Sequence, residues 1–277
     1  MSVSPRPYRG PLRAVILDWA GTTVDHGSFA PTAVFLRLFA ERGVPITPDD
    51  ARAGMGLMKK HHLRVILARP AVAAAWQAVY GRLPGADDVE DLFADFLPMQ
   101  LAVLAAYADP IPGLLETMAE LRGRGLAIGS TTGYLRAMMD VLAPAAAARG
   151  YAPDSLVCSD EVPAGRPAPW MCFQNAMRLG IYPMAALVKV GDTPVDMEEG
   201  RNAGMWTVGV TLTGSPSGLT AAGVTALTPQ ERAAAHARIA GQLQAAGAHL
   251  VIEGIWDLPR ALDALEARLR QGETPLS

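Results

Sequence analysis

The feature that most constrains the fold is a set of short apolar runs along the 277-residue chain. Four of them, RAVILDW, LAIGST, ALVKVGD and MWTVGVT, are typical of strands buried on both faces of a parallel sheet, and AHLVIE is a fifth candidate. Each is separated from the next by enough residues for a helix. This alternation predicts an α/β fold with a doubly wound, Rossmann-like parallel sheet.

One interval departs from this alternation. More than a hundred residues separate Asp18, at the end of the first run, from the second run. Within it, TAVFLRLFAERG, KKHHLRVILA, AVAAAWQAVYGRL and VEDLFADFLPMQLAVLAAY have helical spacing. We therefore predict a helical cap domain at residues 27–104, inserted after strand one, and an α/β core domain formed by residues 1–26 and 105–277.

The composition argues against several kinds of partner. A formal net charge of -3, with thinly scattered Lys and Arg, provides no basic face for nucleic acid. No segment reaches the roughly 20 apolar residues of a membrane span, and the N-terminal MSVSPRPYRGPLR lacks the apolar stretch of a signal peptide. The only cysteines, Cys158 and Cys172, fit a reducing compartment. We expect a cytoplasmic protein without nucleic-acid or membrane partners.

Polar residues follow three of the predicted strands. Asp18, the STTG stretch and Asp192 lie where strands end, and open α/β sheets bind ligands at the carboxyl ends of their strands. Thr132 and the Gly133 amide are expected to hydrogen-bond a phosphate, with Ser130 as a competitor to Thr132. Taken singly, such residues are also ordinary helix caps. Together they predict one crevice beneath the cap.

A set of polar residues in chain order resembles the four motifs of the haloacid dehalogenase superfamily. Its members are Asp18, Thr132, Arg166, Asp192 and Asp196, the last two within GDTPVD. The resemblance implies that Asp18 is a nucleophile that takes a phosphoryl group. The expected Mg2+ ligands are Asp18, Asp192 and the backbone carbonyl of Ala20. Asp196 is expected behind them or as a helix cap, and Arg166 is expected to grip phosphate oxygens rather than form a surface salt bridge.

Position 20 departs from the phosphatases and phosphomutases of that superfamily. Those enzymes carry a second Asp two residues after the nucleophile, where it protonates the leaving oxygen. Here the residue is Ala20, which has no proton to give. Either the leaving group needs no acid, or the site does not catalyse.

The predicted cap contains GMGLMKKHH, residues 54–62, which we interpret as a loop that passes into a helix. On a helix, Met55, Lys59 and His62 share one face, whereas Lys60 points elsewhere. A lysine beside a methionine under a closed lid is desolvated, so its pKa should fall. A neutral lysine can form a Schiff base with an aldehyde. The alternative is a solvated helix lysine.

The stretches DWAGTTVD, MGLMKKHH, GSTTGY, VPAGRPAPWM and GDTPVDMEEGRNAGMW together resemble the phosphonoacetaldehyde hydrolase (phosphonatase) family, from about residue 12 to residue 212. The resemblance implies Mg2+-dependent cleavage of a C–P bond in a small phosphonate, in which Lys59 forms an imine and Asp18 takes the phosphoryl group. It further implies His62 as a proton shuttle, Met55 as a lid contact and Tyr134 near the phosphate or the lid. A homodimer built through the lid helices is also implied.

The resemblance has one departure and two competitors. Ser28 stands where family members carry a cysteine, and we assign it no catalytic role. A phosphomonoester phosphatase or phosphomutase on the same fold would need an Asp at position 20 and would not need Lys59. A non-enzymatic phosphate-binding module would tolerate the substitution Asp18→Asn.

Overall fold

The computed structural model describes residues 8–276, so residues 1–7 of the predicted core domain lie outside the described range. A six-stranded sheet, parallel at every pairing, lies at the centre. The strands are β1 (Ala14–Leu17), β2 (Ala127–Thr132), β3 (Ser155–Cys158), β4 (Leu187–Gly191), β5 (Trp206–Val210) and β6 (Leu250–Ile252). Their order is β3-β2-β1-β4-β5-β6, which confirms the predicted doubly wound parallel sheet.

Strand β3 is missing from the sequence prediction, whereas the five predicted strands are all present. Its sequence, SLVC, begins with a polar serine and is followed by Ser159 and Asp160, so it gives only a weak apolar signal. Its hydrogen bonds come from the neighbouring strand β2, with Gly129 opposite Ser155 and Thr132 opposite Cys158. Pairing therefore supplies what local pattern does not.

Five helices fill the stretch predicted as the cap. They are α1 (Phe29–Glu41), α2 (Pro48–Arg52), α3 (Lys59–Leu67), α4 (Pro70–Tyr80) and α5 (Ala86–Val103). The Phe35 ring on α1 lies 4.4 Å from the His62 ring on α3 and 4.6 Å from the Phe96 ring on α5, between centroids. These aromatic contacts join three of the five helices. The domain boundaries themselves stay a prediction.

The segment that enters α1 turns sharply. Asp25 and Ser28 adopt left-handed backbone angles, with φ of 52° and 53°. The Asp25 carboxylate then accepts hydrogen bonds from the N–H groups of Phe29 and Ala30, at 2.9 and 3.0 Å. Because the first N–H groups of a helix have no partner within it, this carboxylate fixes the start of α1.

Seven further α-helices follow among the described residues. They are α6 (Leu114–Gly123), α7 (Arg136–Ala147), α8 (Trp170–Leu179), α9 (Pro194–Asn202), α10 (Ala221–Thr225), α11 (Pro229–Ala245) and α12 (Leu258–Gln271). Within residues 8–276, no helix combines the length and the apolar character needed to cross a membrane.

Strand β1 is buried on both faces because its side chains alternate between two apolar clusters. Val15 and Leu17 belong to the cluster that also contains Phe35, and Ala14 and Ile16 belong to the other. All four strand residues have no exposed surface. The backbone at the end of β1 is consequently held rigidly, and the next residue in the chain is Asp18.

We predict that Phe35→Ala lowers the free energy of unfolding by about 3–5 kcal/mol, because it removes a fully buried ring that two other rings contact. Urea denaturation monitored by circular dichroism measures the change. Met177→Ala is the control, because Met177 is 68% exposed, and it should change stability by less than about 0.5 kcal/mol. Equal effects of the two substitutions would contradict the packing described.

Candidate active site

Asp18 lies at the carboxyl end of β1, in the middle of the sheet. Its N–H donates to the carbonyl of Val190 on β4, at 2.9 Å, and its side chain is buried. The chain then turns tightly, with the N–H groups of Thr22, Thr23 and Val24 all donating to the carbonyl of Trp19. This turn brings Ala20 to the same cavity as Asp18.

The cavity lies where the ends of β1, β2 and β4 meet the loop before α3. Its lining residues are Asp18, Ala20, Pro31, Met55, Gly56, Lys59, Thr132, Gly133, Tyr134, Arg166, Asp192 and Thr193. Of the eleven predicted site residues, all but His62 and Asp196 line it. Its acids are Asp18 and Asp192, so the residues that line it include no third carboxylate to replace the one absent at position 20.

The structure distinguishes the two β2 hydroxyl groups that are candidates for phosphate binding, those of Ser130 and Thr132. Ser130 accepts a hydrogen bond from the Trp19 indole at 3.0 Å and donates to the carbonyl of Ser155 at 3.2 Å, so its hydroxyl is used within the core. Thr132 lines the cavity together with Gly133. Its hydroxyl accepts from the Tyr134 N–H at 3.1 Å, which orients it. The geometry favours Thr132 over Ser130 as a phosphate contact.

Arg166 is fully buried and contacts three carboxylates. Its Nη2 lies 2.7 Å from Asp18 Oδ1, its Nη1 lies 3.0 Å from Asp196 Oδ1, and its Nε lies 2.9 Å from Glu199 Oε2. Nη2 also donates to the carbonyl and hydroxyl oxygens of Thr131. Buried charges require such pairing. The prediction that Arg166 belongs to the strand-end cluster, and not to a surface salt bridge, agrees with this geometry.

Lys189 and Glu199 complete this cluster and are absent from the sequence prediction. Lys189 Nζ lies 2.8 Å from Asp196 and 3.3 Å from Glu199, and all three side chains are fully buried. Two signals were available. Lys189 interrupts an apolar strand, and Glu199 lies three residues after Asp196, on the same face of α9.

Asp196 serves as a helix cap as well as an ion-pair partner. Its carboxylate accepts from the N–H and hydroxyl of Thr193, which forms the capping box of α9. Burial by itself raises the pKa of Asp196, but Arg166 and Lys189 outweigh burial and hold that pKa below its ordinary value. Both of its oxygens are engaged by protein groups, which agrees with the predicted place behind the metal ligands.

Asp192 carries the charge that protein groups do not balance. Its Oδ2 accepts from the N–H and hydroxyl of Ser215, at 2.8 and 3.0 Å, but no cationic side chain pairs with it among the described residues. Burial, followed by repulsion from Asp18 and Asp196, raises the pKa of Asp192 to about 8. Single oxygens of these three aspartates lie within 4.8 Å of one another.

This donor set fits a divalent cation. The cluster has four carboxylates, those of Asp18, Asp192, Asp196 and Glu199, against the two cations Arg166 and Lys189, so it carries an excess of two negative charges when all four carboxylates are ionised. Oxygen ligands of this kind are those that hard divalent cations take. Asp18 and Asp192, with the Ala20 carbonyl, would hold the ion.

Lys59 approaches the same cavity from the cap side. It is the first residue of α3, and only 2% of its surface is exposed. Burial lowers the pKa of Lys59 to about 8, and a cation at a helix N-terminus also opposes the helix dipole. Its Nζ lies 4.8 Å from the centroid of the Tyr134 ring. Lys60 is exposed to solvent and pairs with Glu90. The interpretation of Lys59 as a solvated lysine is therefore wrong.

Met55 lies in a turn before α3, because the helix begins only at Lys59. The predicted helical face is therefore wrong for Met55, although this residue does line the cavity. His62 is fully buried and does not line it. Its Nε2 lies 2.8 Å from the carbonyl of Ala51, and burial, with a contribution from Lys59, lowers the pKa of His62 well below its ordinary value. This placement does not support proton transfer by His62.

Two glycines let the loop before α3 approach the residues that follow β2 and β4. A Cβ on Gly133 would lie 2.7 Å from the carbonyl oxygens of both Gly56 and Leu57. A Cβ on Gly56, whose φ is 88°, would lie 2.6 Å from the Thr193 hydroxyl. The cavity left between the loops has a volume of about 20 Å³, enough for about one water. The loop before α3 must therefore move for a substrate to enter.

Comparison with known proteins agrees with this arrangement. The family model of haloacid dehalogenase-like hydrolases matches residues 12–204, more than half of the chain. The chain belongs to the haloacid dehalogenase-like hydrolase family. This hydrolase is 51% identical over 270 residues to a protein of Nitratidesulfovibrio vulgaris named phosphonoacetaldehyde hydrolase, with 98% of this chain and 96% of the relative covered.

Two further relatives of this hydrolase carry similar names. A Bacillus cereus protein named phosphonoacetaldehyde hydrolase is 48% identical over 255 residues, which cover 92% of this chain and 97% of the relative. A crystal structure from Oleispira antarctica, described as a phosphonoacetaldehyde hydrolase-like protein, superposes with a TM-score of 0.96 at 37% identity. It covers 99% of this chain and 100% of that one.

We predict that Mg2+ raises the melting temperature of this hydrolase, because the ion offsets the buried excess of negative charge. At 100 times the dissociation constant, the gain is about 2.7 kcal/mol. Asp192→Asn should raise the melting temperature of the metal-free protein, by removing the repulsion that raises the Asp192 pKa, and should lose most of the increase with Mg2+. Differential scanning fluorimetry measures both effects. The exposed Asp91→Asn is the control, and an unchanged Mg2+ response in Asp192→Asn would refute the site.

Proposed function

We propose that this hydrolase cleaves the C–P bond of phosphonoacetaldehyde and yields acetaldehyde and phosphate. One observation carries the proposal: a desolvated lysine, Lys59, and a buried carboxylate, Asp18, line one cavity in which position 20 is Ala20. A leaving carbon activated by an imine needs no acid at that position. The names of the relatives described above support the same substrate.

In the first step, the neutral amine of Lys59 attacks the aldehyde carbon of the substrate. Loss of water, with uptake of one proton from solvent, gives an iminium ion on Lys59. A lysine with a pKa of about 8 is uncharged in about a tenth of the molecules at pH 7 and in about half at pH 8, and this neutral form makes the attack. Tyr134, whose buried hydroxyl has no partner among the described residues, and Met55 would line the space around the imine.

In the second step, Asp18 attacks phosphorus and the C–P bond breaks. The bonding electrons move into the iminium, which becomes an enamine, and Asp18 becomes an aspartyl phosphate. Arg166 would bind phosphoryl oxygens together with the Thr132 hydroxyl and the Gly133 N–H, since all three line the cavity beside Asp18.

In the third step, water hydrolyses the aspartyl phosphate and releases phosphate. The enamine takes a proton at carbon, and a second water hydrolyses the resulting imine to acetaldehyde and free Lys59. We assign His62 no proton transfer in these steps. The His62 ring packs against Phe35, and His62 lies on α3 as Lys59 does. We propose that His62 stabilises the start of this helix.

We propose Mg2+ as the cofactor. When bound by Asp18, Asp192 and the Ala20 carbonyl, it would offset the repulsion between the Asp18 carboxylate and the phosphoryl group.

A phosphomonoester phosphatase or phosphomutase is the second candidate, because the family contains the same nucleophile. Ala20 opposes it, since a leaving alkoxide requires a proton that no other acid lining the cavity can give without losing its role as nucleophile or metal ligand. Hydrolysis of a phosphate ester also has no step that uses a buried, partly neutral amine such as that of Lys59.

We also propose that the protein works in the cytoplasm as a homodimer in the degradation of 2-aminoethylphosphonate. Free, buried Cys158 and Cys172 fit a reducing compartment. Exposed apolar side chains on the cap helices, Val79 and Tyr80 among them, and Leu83 just after α4 offer a surface that a second copy could cover.

Borohydride trapping tests the two covalent steps separately. With phosphonoacetaldehyde, the wild-type protein should give a reduced ethyl adduct on Lys59, because cleavage precedes trapping. Asp18→Asn should give only the phosphonoethyl adduct, since it forms the imine but cannot take the phosphoryl group. Peptide mass spectrometry distinguishes the adducts. Lys60→Met should be trapped like the wild type, and an adduct that persists in Lys59→Met would refute the imine.

The pH dependence of turnover tests the state of Lys59. Because the neutral amine attacks, kcat/KM should fall about tenfold per pH unit below the Lys59 pKa of about 8 and level off above it. Initial rates of acetaldehyde release between pH 6 and pH 9, at saturating Mg2+, measure the profile. Lys60→Met should give the same profile. A rate that is constant across this range would show that another step, or another group, limits turnover.

A further inference from the structure

Two fully buried ionic side chains, Lys189 and Glu199, have no part in the chemistry proposed above. Glu199 Oε2 lies 2.9 Å from Arg166 Nε and 3.3 Å from Lys189 Nζ. The Thr131 hydroxyl donates to the same oxygen at 3.2 Å and accepts from Lys189 at 3.0 Å. Burial of two further ions costs free energy unless they pair with each other or with a third charged group.

The contacts of Arg166 show what the pair can do. A guanidinium is a rigid planar fork, so its orientation is set once separate nitrogens are bound. Glu199 holds Nε, Asp196 holds Nη1, and Nη2 lies toward Asp18. Of the three carboxylates, Asp18 lines the cavity, whereas Asp196 and Glu199 do not. Glu199 therefore holds the guanidinium at Nε from outside the cavity.

The charges explain why Lys189 is needed. Arg166 and Lys189 face Asp196 and Glu199, which is two cations against two anions. Without Lys189, Arg166 would be the only cation for Asp18, Asp196 and Glu199, and attraction to the excess anions would draw it into the cluster. With Lys189 present, Asp196 and Glu199 are balanced, so Nη1 and Nη2 can exchange their contacts for phosphoryl oxygens.

We propose that Glu199 and Lys189 are positioning residues for Arg166: Glu199 fixes the guanidinium at Nε, and Lys189 balances the charge so that the fork stays turned toward the phosphoryl group. The proposal rests on the proposed function insofar as Arg166 binds a phosphoryl or phosphate group in this cavity.

The test separates positioning from mere charge balance. Lys189→Met and Glu199→Met each leave a buried charge without its partner and should lower stability. The double variant Lys189→Met/Glu199→Met removes one charge of each sign, so its melting temperature should return toward the wild-type value. Its kcat/KM should nevertheless stay about 10-fold to 100-fold below wild type, because Arg166 Nε has lost its carboxylate.

Two comparisons sharpen this test. Lys189→Met/Glu199→Gln keeps an acceptor oxygen for Nε and should recover most of the lost kcat/KM. Glu198→Met changes the neighbouring, half-buried glutamate of α9 and should leave kcat/KM within about twofold of wild type, in line with the small effects of substitutions away from packed features.

Binding of inorganic phosphate, measured by calorimetry in the presence of Mg2+, provides a readout that needs no turnover. The double Met variant should bind phosphate about 10-fold more weakly than the wild type, and the Gln variant should bind it nearly as tightly. A wild type that binds phosphate but does not cleave phosphonoacetaldehyde would end the proposed function and leave this test intact. A double Met variant with wild-type kcat/KM and wild-type phosphate affinity would overturn the positioning role.

Discussion

The interaction on which the site depends is the set of ion pairs around Arg166, all of them buried at the carboxyl ends of the strands. Burial makes each ion costly unless it has a partner, so each member of the cluster depends on the others. The members are Asp18, Asp196, Glu199, Lys189 and Arg166. The sheet makes this possible because β1, β2 and β4 are neighbours whose ends coincide. Asp18 is held in place from behind by a strand that has no exposed residue.

How far the sequence predicts this arrangement depends on where each signal lies. Apolar runs identify five strands, and β3 escapes because its stability comes from pairing with β2 and not from its own four residues. Asp18, Thr132 and Asp192 are predictable because they end strands. Lys189 is harder, since its position within a strand predicts an apolar residue and only the three-dimensional neighbours explain its charge.

The loop before α3 is a second feature that the sequence predicts only in part. Helical spacing predicts Met55 and Lys59 on one face, but the helix begins at Lys59, and Met55 lines the cavity from a turn. The start of a helix depends on the backbone before it, and here the left-handed Gly54 and Gly56 shape that backbone. The sequence also does not show that Gly133 allows close approach of the loop before α3. The absence of a Cβ matters only because Gly56 and Leu57 lie next to Gly133 in the structure.

The loop before α3 packs closely against Gly133 and Thr193, and this packing has a consequence for substrate specificity. Burial under the loop before α3 lowers the pKa of Lys59 from the ordinary value of a surface lysine to about 8. If the loop moved aside to admit a molecule, water would return to the amine and its pKa would rise toward the ordinary value. In the proposed mechanism, an open form would therefore present other aldehydes with a charged, unreactive side chain. The neutral amine would be favoured only around a molecule small enough to be enclosed, which would protect the nucleophile from other carbonyl compounds.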